Sequence, residues 1–198
     1  MLHSPYTFEK AKLVLQEMVD SLSLDLLEKQ LVTDQLVLTV GYDIENISQD
    51  GTGYDGEIVV DAYGRQKPKH AHGTVNLDSK TSSARLMTKA VLDLYDKIVN
   101  RRLYIRRLTL VAARIIDENT AKSQNNIEQL DLFSTITEAD RQKEEKALEK
   151  EKRLQKTVLD LKHKYGKNAI LKGMNFMDGA TMKERNGQIG GHRAGEKL

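Results

Sequence analysis

Apolar residues recur at spacings of three and four through Phe8, Ala11, Leu15, Met18, Leu22 and Leu26. That spacing puts them on one face of an amphipathic helix. It predicts a helix over Pro5 to Lys29, with Ser4 as cap and Pro5 preset for the first turn. The opposite face would carry Lys10, Glu17, Asp20 and Asp25. From Gln35 to Asp43 the period shortens to two. Leu36, Leu38, Val40 and Tyr42 point one way, with Gln35, Thr39 and Asp43 opposite, as in a half-buried strand. A second strand is predicted over Gly73 to Leu77. Ser82 and Ser83 then cap a helix whose stripe is Met87, Val91, Leu94 and Ile98, backed by Leu86 and Ala90. The β-formers between Arg101 and Val111 predict a last strand. Its arginines fall in pairs, so at least one of each pair reaches the exposed face.

The order helix, strand, strand, helix, strand predicts an α+β fold, an antiparallel sheet with both helices on one face. Residues 1–118 form this domain. Inside it, Ile44 to His70 is long, irregular and glycine-bearing, with Glu57 to Tyr63 as a short strand or hairpin arm. A polar linker follows over 119–136. Residues 137–165 form a charged helix with Leu148, Leu154, Val158, Leu161 and Tyr165 along one narrow side, ended by Gly166. Residues 166–198 combine glycines with too few apolar positions for a core, which predicts a flexible, disordered tail.

The chain has 198 residues, 39% hydrophobic and 30% charged, with a net charge of +2, so any basic surface must be local. It contains no cysteine, which excludes disulfides, thiolate metal sites and a cysteine nucleophile. Ser4-Pro5 and Glu9-Lys10 break any signal peptide, and no apolar run is long enough to span a bilayer. A cytoplasmic, nucleoid-associated protein with no membrane partner is expected.

Motifs for catalysis are weak. Gly51-Thr52-Gly53-Tyr54-Asp55-Gly56 spells G-x-G-x-x-G, but a strand-like run follows where a dinucleotide fold needs a helix. Asp43, Glu45, Asp50 and Asp55 lie on one loop and read as solvated acids rather than a divalent-cation site. His70 and His72 have no third ligand at metal spacing. No catalytic residue, metal site or cofactor is expected in this chain. A cationic strip is the stronger signal: Lys67, Lys69, His72, Lys80 and Arg85 border the second strand, and Arg101, Arg102, Arg106 and Arg107 open the last one. Such a surface positions phosphates without reading bases, and four or five contacts imply a log–log salt slope of about −4.

Within the linker stands Gln129-Leu130-Asp131-Leu132-Phe133. It resembles the peptide by which bacterial DNA polymerases and repair proteins hold the replication sliding clamp. In that mode the Gln bonds at the rim of a cleft while Leu132 and Phe133 fill an apolar pocket. This hook, the Lys69-His70-Ala71-His72-Gly73-Thr74 turn, Arg106-Arg107-Leu108, the run Lys167 to Asn175, Gly179-Ala180-Thr181 and the block Glu184 to His192 occur together. The set is similar to the C-terminal part of Y-family translesion DNA polymerases of the ImpB/MucB/SamB (UmuC-like) type from Gram-positive bacteria and their mobile elements. The resemblance implies a little-finger domain that grips template–primer duplex, in the order α-β-β-α-β with the family's first strand missing. It implies SOS-type damage tolerance and DNA repair, with the polymerase palm and its Mg²⁺ chemistry lying before residue 1. The partners implied are duplex DNA, the sliding clamp and, as one alternative, a separately encoded palm and thumb. A rival reading is a stand-alone regulatory protein that occupies the clamp without binding DNA.

Overall fold

The computed structural model describes residues 2–47, 54–125, 138–189 and 192–193. Helix α1 (Phe8–Glu28) leads into the long strand β1 (Leu31–Tyr42). A 3-10 turn at Ile44–Asn46 and a small hairpin of β2 (Ile58–Val60) and β3 (Gln66–Pro68) follow. Then come β4 (Ala71–Thr81), α2 (Ala84–Ile98), β5 (Ile105–Ala113) and the short β6 (Ile116–Asp117). The main sheet runs β4-β1-β5, with β6 pairing the start of β1, and every pairing is antiparallel. This is the expected α+β sandwich, with a hairpin inserted in the long loop.

Strand β1 is central and sets the register. Leu36, Leu38 and Val40, fully buried, stand opposite Ala112, Leu110 and Leu108 of β5. Helices α1 and α2 cover that face with Phe8, Ala11, Leu15 and Val19 from one and Met87, Val91 and Tyr95 from the other. Burying each large side chain contributes about 1.5–3 kcal/mol, so this face carries the stability. The Tyr95 hydroxyl donates to the Phe8 carbonyl at 2.9 Å, and burial pushes its pKa up. Gly73 lets α2 lie close, because a Cβ there would meet Leu94 Cδ1 at 2.9 Å. Ser83 caps α2 as predicted, accepting from the Leu86 N–H at 3.2 Å.

The N-terminus differs from its prediction. Residues taken as the first helical turn run along β5 instead: Tyr6 and Ile105 exchange backbone hydrogen bonds at 2.9 and 2.8 Å, and the Leu2 N–H reaches Arg106 O at 3.0 Å. Thr7, not Ser4, stands at the helix start. Paired backbone groups here outweigh a favourable capping sequence.

After α3 (Glu118–Asn125) the description resumes at α4 (Glu138–Tyr165). This helix is not free-standing. Gln155, buried, donates to Ser23 Oγ at 3.3 Å and Ser82 O at 3.4 Å, while His163 meets Glu28 at 2.9 Å. Burial lowers the pKa of Lys162 on the same side. Gly166, at φ +97°, ends the helix, a conformation that favours glycine.

The following segment, predicted to be disordered, folds onto α1 as far as residue 189. It makes a 3-10 turn at Gly173–Phe176, the short helix α5 (Met182–Arg185) and β7 (Gln188–Ile189), which pairs with β8 (His192–Arg193). Its anchor is Glu17, placed on the polar face by sequence and in fact fully buried. The carboxylate accepts from Asn175 Nδ2 at 2.9 Å, Thr181 N at 2.8 Å and Thr181 Oγ1 at 3.0 Å, with Arg185 at 3.7 Å. Desolvation lowers the Arg185 pKa despite this neighbour. A buried carboxylate needs such a shell, and the glycine-rich block supplies it.

Candidate nucleic-acid interface

Alternation along the strands leaves the second face of the sheet to solvent. Its rungs are Asn76–Gln35–Ala113, Thr74–Val37–Val111 and His72–Thr39–Thr109, and then Gly41 opposite Arg107. His72, Thr74, Asn76, Arg107 and Val111 are exposed. No carboxylate stands on these rungs. The hydroxyl and amide groups bond across strands: Gln35 to Asn76 and Thr39 to His72 Nδ1, both at 2.9 Å.

At the end of this face the ladder shifts between Gly41 and Tyr42, skipping Arg106. The irregularity separates the paired arginines as the strand reading expects. Arg107 faces out, while Arg106 turns to the buried Asp43 with Nε at 3.6 Å. Gly41 fits here because a Cβ would lie 3.3 Å from Arg107 Cβ. Asn46 holds the corner by donating to Asp43 O and Tyr104 O, both at 2.8 Å, and accepting from Tyr104 N at 2.7 Å. Asp43 is therefore a structural acid, not the solvated loop acid expected; the arginine beside it was the missing term.

The β2–β3 hairpin leans on this corner, with Pro68 buried beneath it. Together they enclose a cleft of about 530 Å³ lined by Arg65, Lys67, Arg106 and Arg107 along with Asp43, Glu45 and Asp61. Two of those cations are committed. Arg65 donates twice to Asp61, at 3.0 and 2.8 Å, and that hydrogen bond helps hold the carboxyl down to about 2; Arg106 belongs to Asp43. Lys67 and Arg107 have no carboxylate partner among the described residues. Tyr63 extends beside Arg65, whose guanidinium lies 5.1 Å from the ring centroid.

The remaining members of the predicted strip are dispersed. Lys69 meets Glu57 at 2.8 Å in an exposed pair, and Arg102 is exposed in the turn before β5. Arg101 lies over the Phe8 ring at 4.8 Å and near Asp96. Lys80 bonds Asp34 at 2.7 Å, lowering that carboxyl's pKa, and Arg85 meets Glu144 at 2.5 Å. Lys67, Arg106 and Arg107 thus converge at one end of the sheet. Lys80, near the end of β4, lies toward the opposite end of the sheet, about eight residues of β1 away, roughly 27 Å, while Arg85 opens α2 on the helix-covered side. The hook Gln129 to Phe133 lies outside the described residues, as do Gly51 and Gly53 of the glycine motif. Sequence reasoning placed Arg65 in the basic run without pairing it to Asp61, although an acid four residues before an arginine, with Gly64 between, is a legible turn signal.

Among the described residues no helix is long and apolar enough to cross a membrane. None of the curated proteins matches this chain. The impB/mucB/samB family C-terminal domain matches residues 2–132, which take in the sandwich, its polar face and the basic corner. The chain belongs to the impB/mucB/samB family and carries the C-terminal part of a UmuC-like, Y-family DNA polymerase.

Proposed function

We propose that this chain is a non-catalytic DNA-holding module of a translesion polymerase, tethered to the sliding clamp by Gln129, Leu130, Asp131, Leu132 and Phe133. The observation that carries the DNA reading is the open sheet face: exposed, free of carboxylates on its rungs, and ending at Arg107 beside Lys67. Threonine and amide side chains donate to phosphate and sugar oxygens, and the two cations add charge-assisted bonds. These groups are expected to meet phosphate and sugar oxygens rather than base edges, so affinity for duplexes of any sequence should be alike.

Since Lys80, Arg85 and Arg101 are occupied by carboxylates, fewer contacts are available than the strip alone suggests. Lys67, Arg102 and Arg107 give a log–log salt slope of about −2 to −3. Arg107→Glu should weaken binding of duplexes of any sequence and flatten that slope by about 1. A titration in which R107E binds as the parent does, or in which one sequence is preferred through high salt, removes the backbone grip.

For the tether, fully burying Leu132 and Phe133 is worth roughly 1.5–3 kcal/mol each. Ordering and association costs leave an affinity on the order of micromolar. Replacing both by Ala should abolish clamp binding, and an unchanged isotherm removes the tether. Joining two weak contacts on one chain raises the local concentration of the grip at the clamp.

A further inference from the structure

We propose that the cleft between the β2–β3 hairpin and the basic corner holds one unpaired nucleotide of a DNA strand, its base stacked on Tyr63 and its phosphate between Lys67 and Arg107. The proposal rests on the DNA reading above and adds a single-strand subsite to it.

Tyr63, Lys67 and Arg107 share the walls of this cleft. Tyr63 is 83% exposed, and among the described residues no other aromatic ring packs on it. A ring so open to water adds little to the fold, yet its backbone is firmly placed. Asp61 accepts from the Tyr63 N–H at 2.9 Å and from the Arg65 N–H at 3.1 Å. The Asp61 N–H donates to Arg65 O at 3.0 Å and the Gly64 N–H to Asp61 O at 2.9 Å, which closes the turn. Gly64 takes φ +78° there, a conformation that favours glycine. Arg65, pinned to Asp61 by two side-chain bonds, sets its guanidinium 5.1 Å from the Tyr63 centroid and supports one side of the ring. The rest of the ring stays bare. A flat aromatic with only two rotors to freeze, backed on one side and open on the other, is a platform for a nucleobase of any identity.

Charge and size narrow the ligand further. Lys67 comes from β3 and Arg107 from β5, so a cation stands on each of the two elements that form the cleft. Asp61 and Asp43 are matched by Arg65 and Arg106, which leaves Glu45 alone among the described acids of the cleft to oppose two uncommitted cations. The surplus is positive and suits one phosphate. The volume of about 530 Å³ is that of a small-ligand site, roughly 300–1,000 Å³, rather than of a bed for a double helix. A base inside a duplex is stacked on its neighbours and cannot reach Tyr63, so the base held here must be unpaired. The open sheet face ends at Arg107 and the cleft begins with it. A strand leaving the duplex at that point would pass from one to the other.

The test titrates the full chain with a blunt duplex of mixed sequence and with the same duplex carrying a short oligothymidine overhang. The overhang should tighten binding by about fivefold to tenfold. Tyr63→Ala should remove that gain and leave blunt-duplex affinity unchanged, while Tyr63→Phe, which keeps the ring, should retain it. Since the chain has no tryptophan, Tyr63→Trp supplies a single fluorophore whose emission a stacked base should quench. A gain that survives Y63A, a gain lost equally in Y63F, or Y63W emission unchanged at saturating overhang duplex overturns the subsite. So does a Y63A variant that weakens both duplexes alike, which would put the ring in the duplex grip. Binding of neither duplex by any of these proteins defeats the DNA reading itself, whereas blunt-duplex binding with no overhang gain in the parent defeats only the subsite.

Discussion

The two sides of α1 are buried by different means. Toward the sheet the helix presents Phe8, Ala11, Leu15 and Val19, which share their burial with some fifteen other core side chains. Toward the C-terminal block it presents one fully buried carboxylate, Glu17, on which Asn175, Thr181 and Arg185 converge, with the Asp20–Lys172 and Lys10–Asp178 pairs at the edge. The apolar side is redundant and non-directional, so its loss is felt by the whole domain. The polar side is directional and centres on one buried residue, so its loss should be felt by one segment.

Cutting into the apolar side gives the largest effect. Phe8→Ala removes a ring buried against Tyr95, with centroids 4.7 Å apart, and should cost about 3–5 kcal/mol in denaturant unfolding at an unchanged slope. If only residues 166–189 loosened, the two sides would not differ as described. Glu17→Ala comes next. Leaving Asn175, Thr181 and Arg185 unpaired would be costly, but the block can detach and return them to water. The loss is therefore capped by the docking free energy of the block, on the order of 1–3 kcal/mol. Amide exchange should rise over 166–189 and leave β1 protected. A global loss equal to that of F8A, with no local opening, would break the contrast. Asn175→Ala removes one of the carboxylate's donors and should cost about 1 kcal/mol, again locally.

The same contrast governs what was legible in the sequence. Period-two alternation at Leu36, Leu38 and Val40 and the stripe at Met87, Val91 and Leu94 report burial directly, because apolar burial needs only a face. Glu17 breaks that rule. Its partners lie more than 150 residues away in sequence, and no local pattern distinguishes a carboxylate bound by a distant glycine-rich segment from one bound by water. The resemblance included that segment without a physical reason; in this structure it is the shell around Glu17. The candidate site divided in the same way. Alternation separated Arg106 from Arg107, but which cations stay free depended on Asp43, Asp34 and Glu144, carboxylates brought in by folding. The strip was readable as composition and not as geometry.

Asp61 sharpens the comparison from the side of least effect. Like Glu17 it gathers several donors: the N–H groups of Tyr63 and Arg65 and both nitrogens of the Arg65 fork. Unlike Glu17, all its donors come from its own turn, so no distant segment depends on it. The Arg65 hydrogen bond is the largest cause of its pKa falling to about 2, with the backbone N–H bonds adding to it. A folded-state value below the unfolded one means the pair contributes fully above the unfolded pKa of about 4, and its contribution is lost as pH falls from there through about 2. An NMR titration of the Asp61 carboxyl should therefore show a depressed midpoint that Arg65→Ala returns toward the ordinary carboxylate range, and at neutral pH the loss of the pair should appear as faster amide exchange in the hairpin rather than as a shift of the global unfolding midpoint. A global loss of stability in R65A would mean that the hairpin supports the sandwich as well as the cleft, and that number of hydrogen bonds, rather than the distance they bridge along the chain, decides how far the loss of a carboxylate spreads.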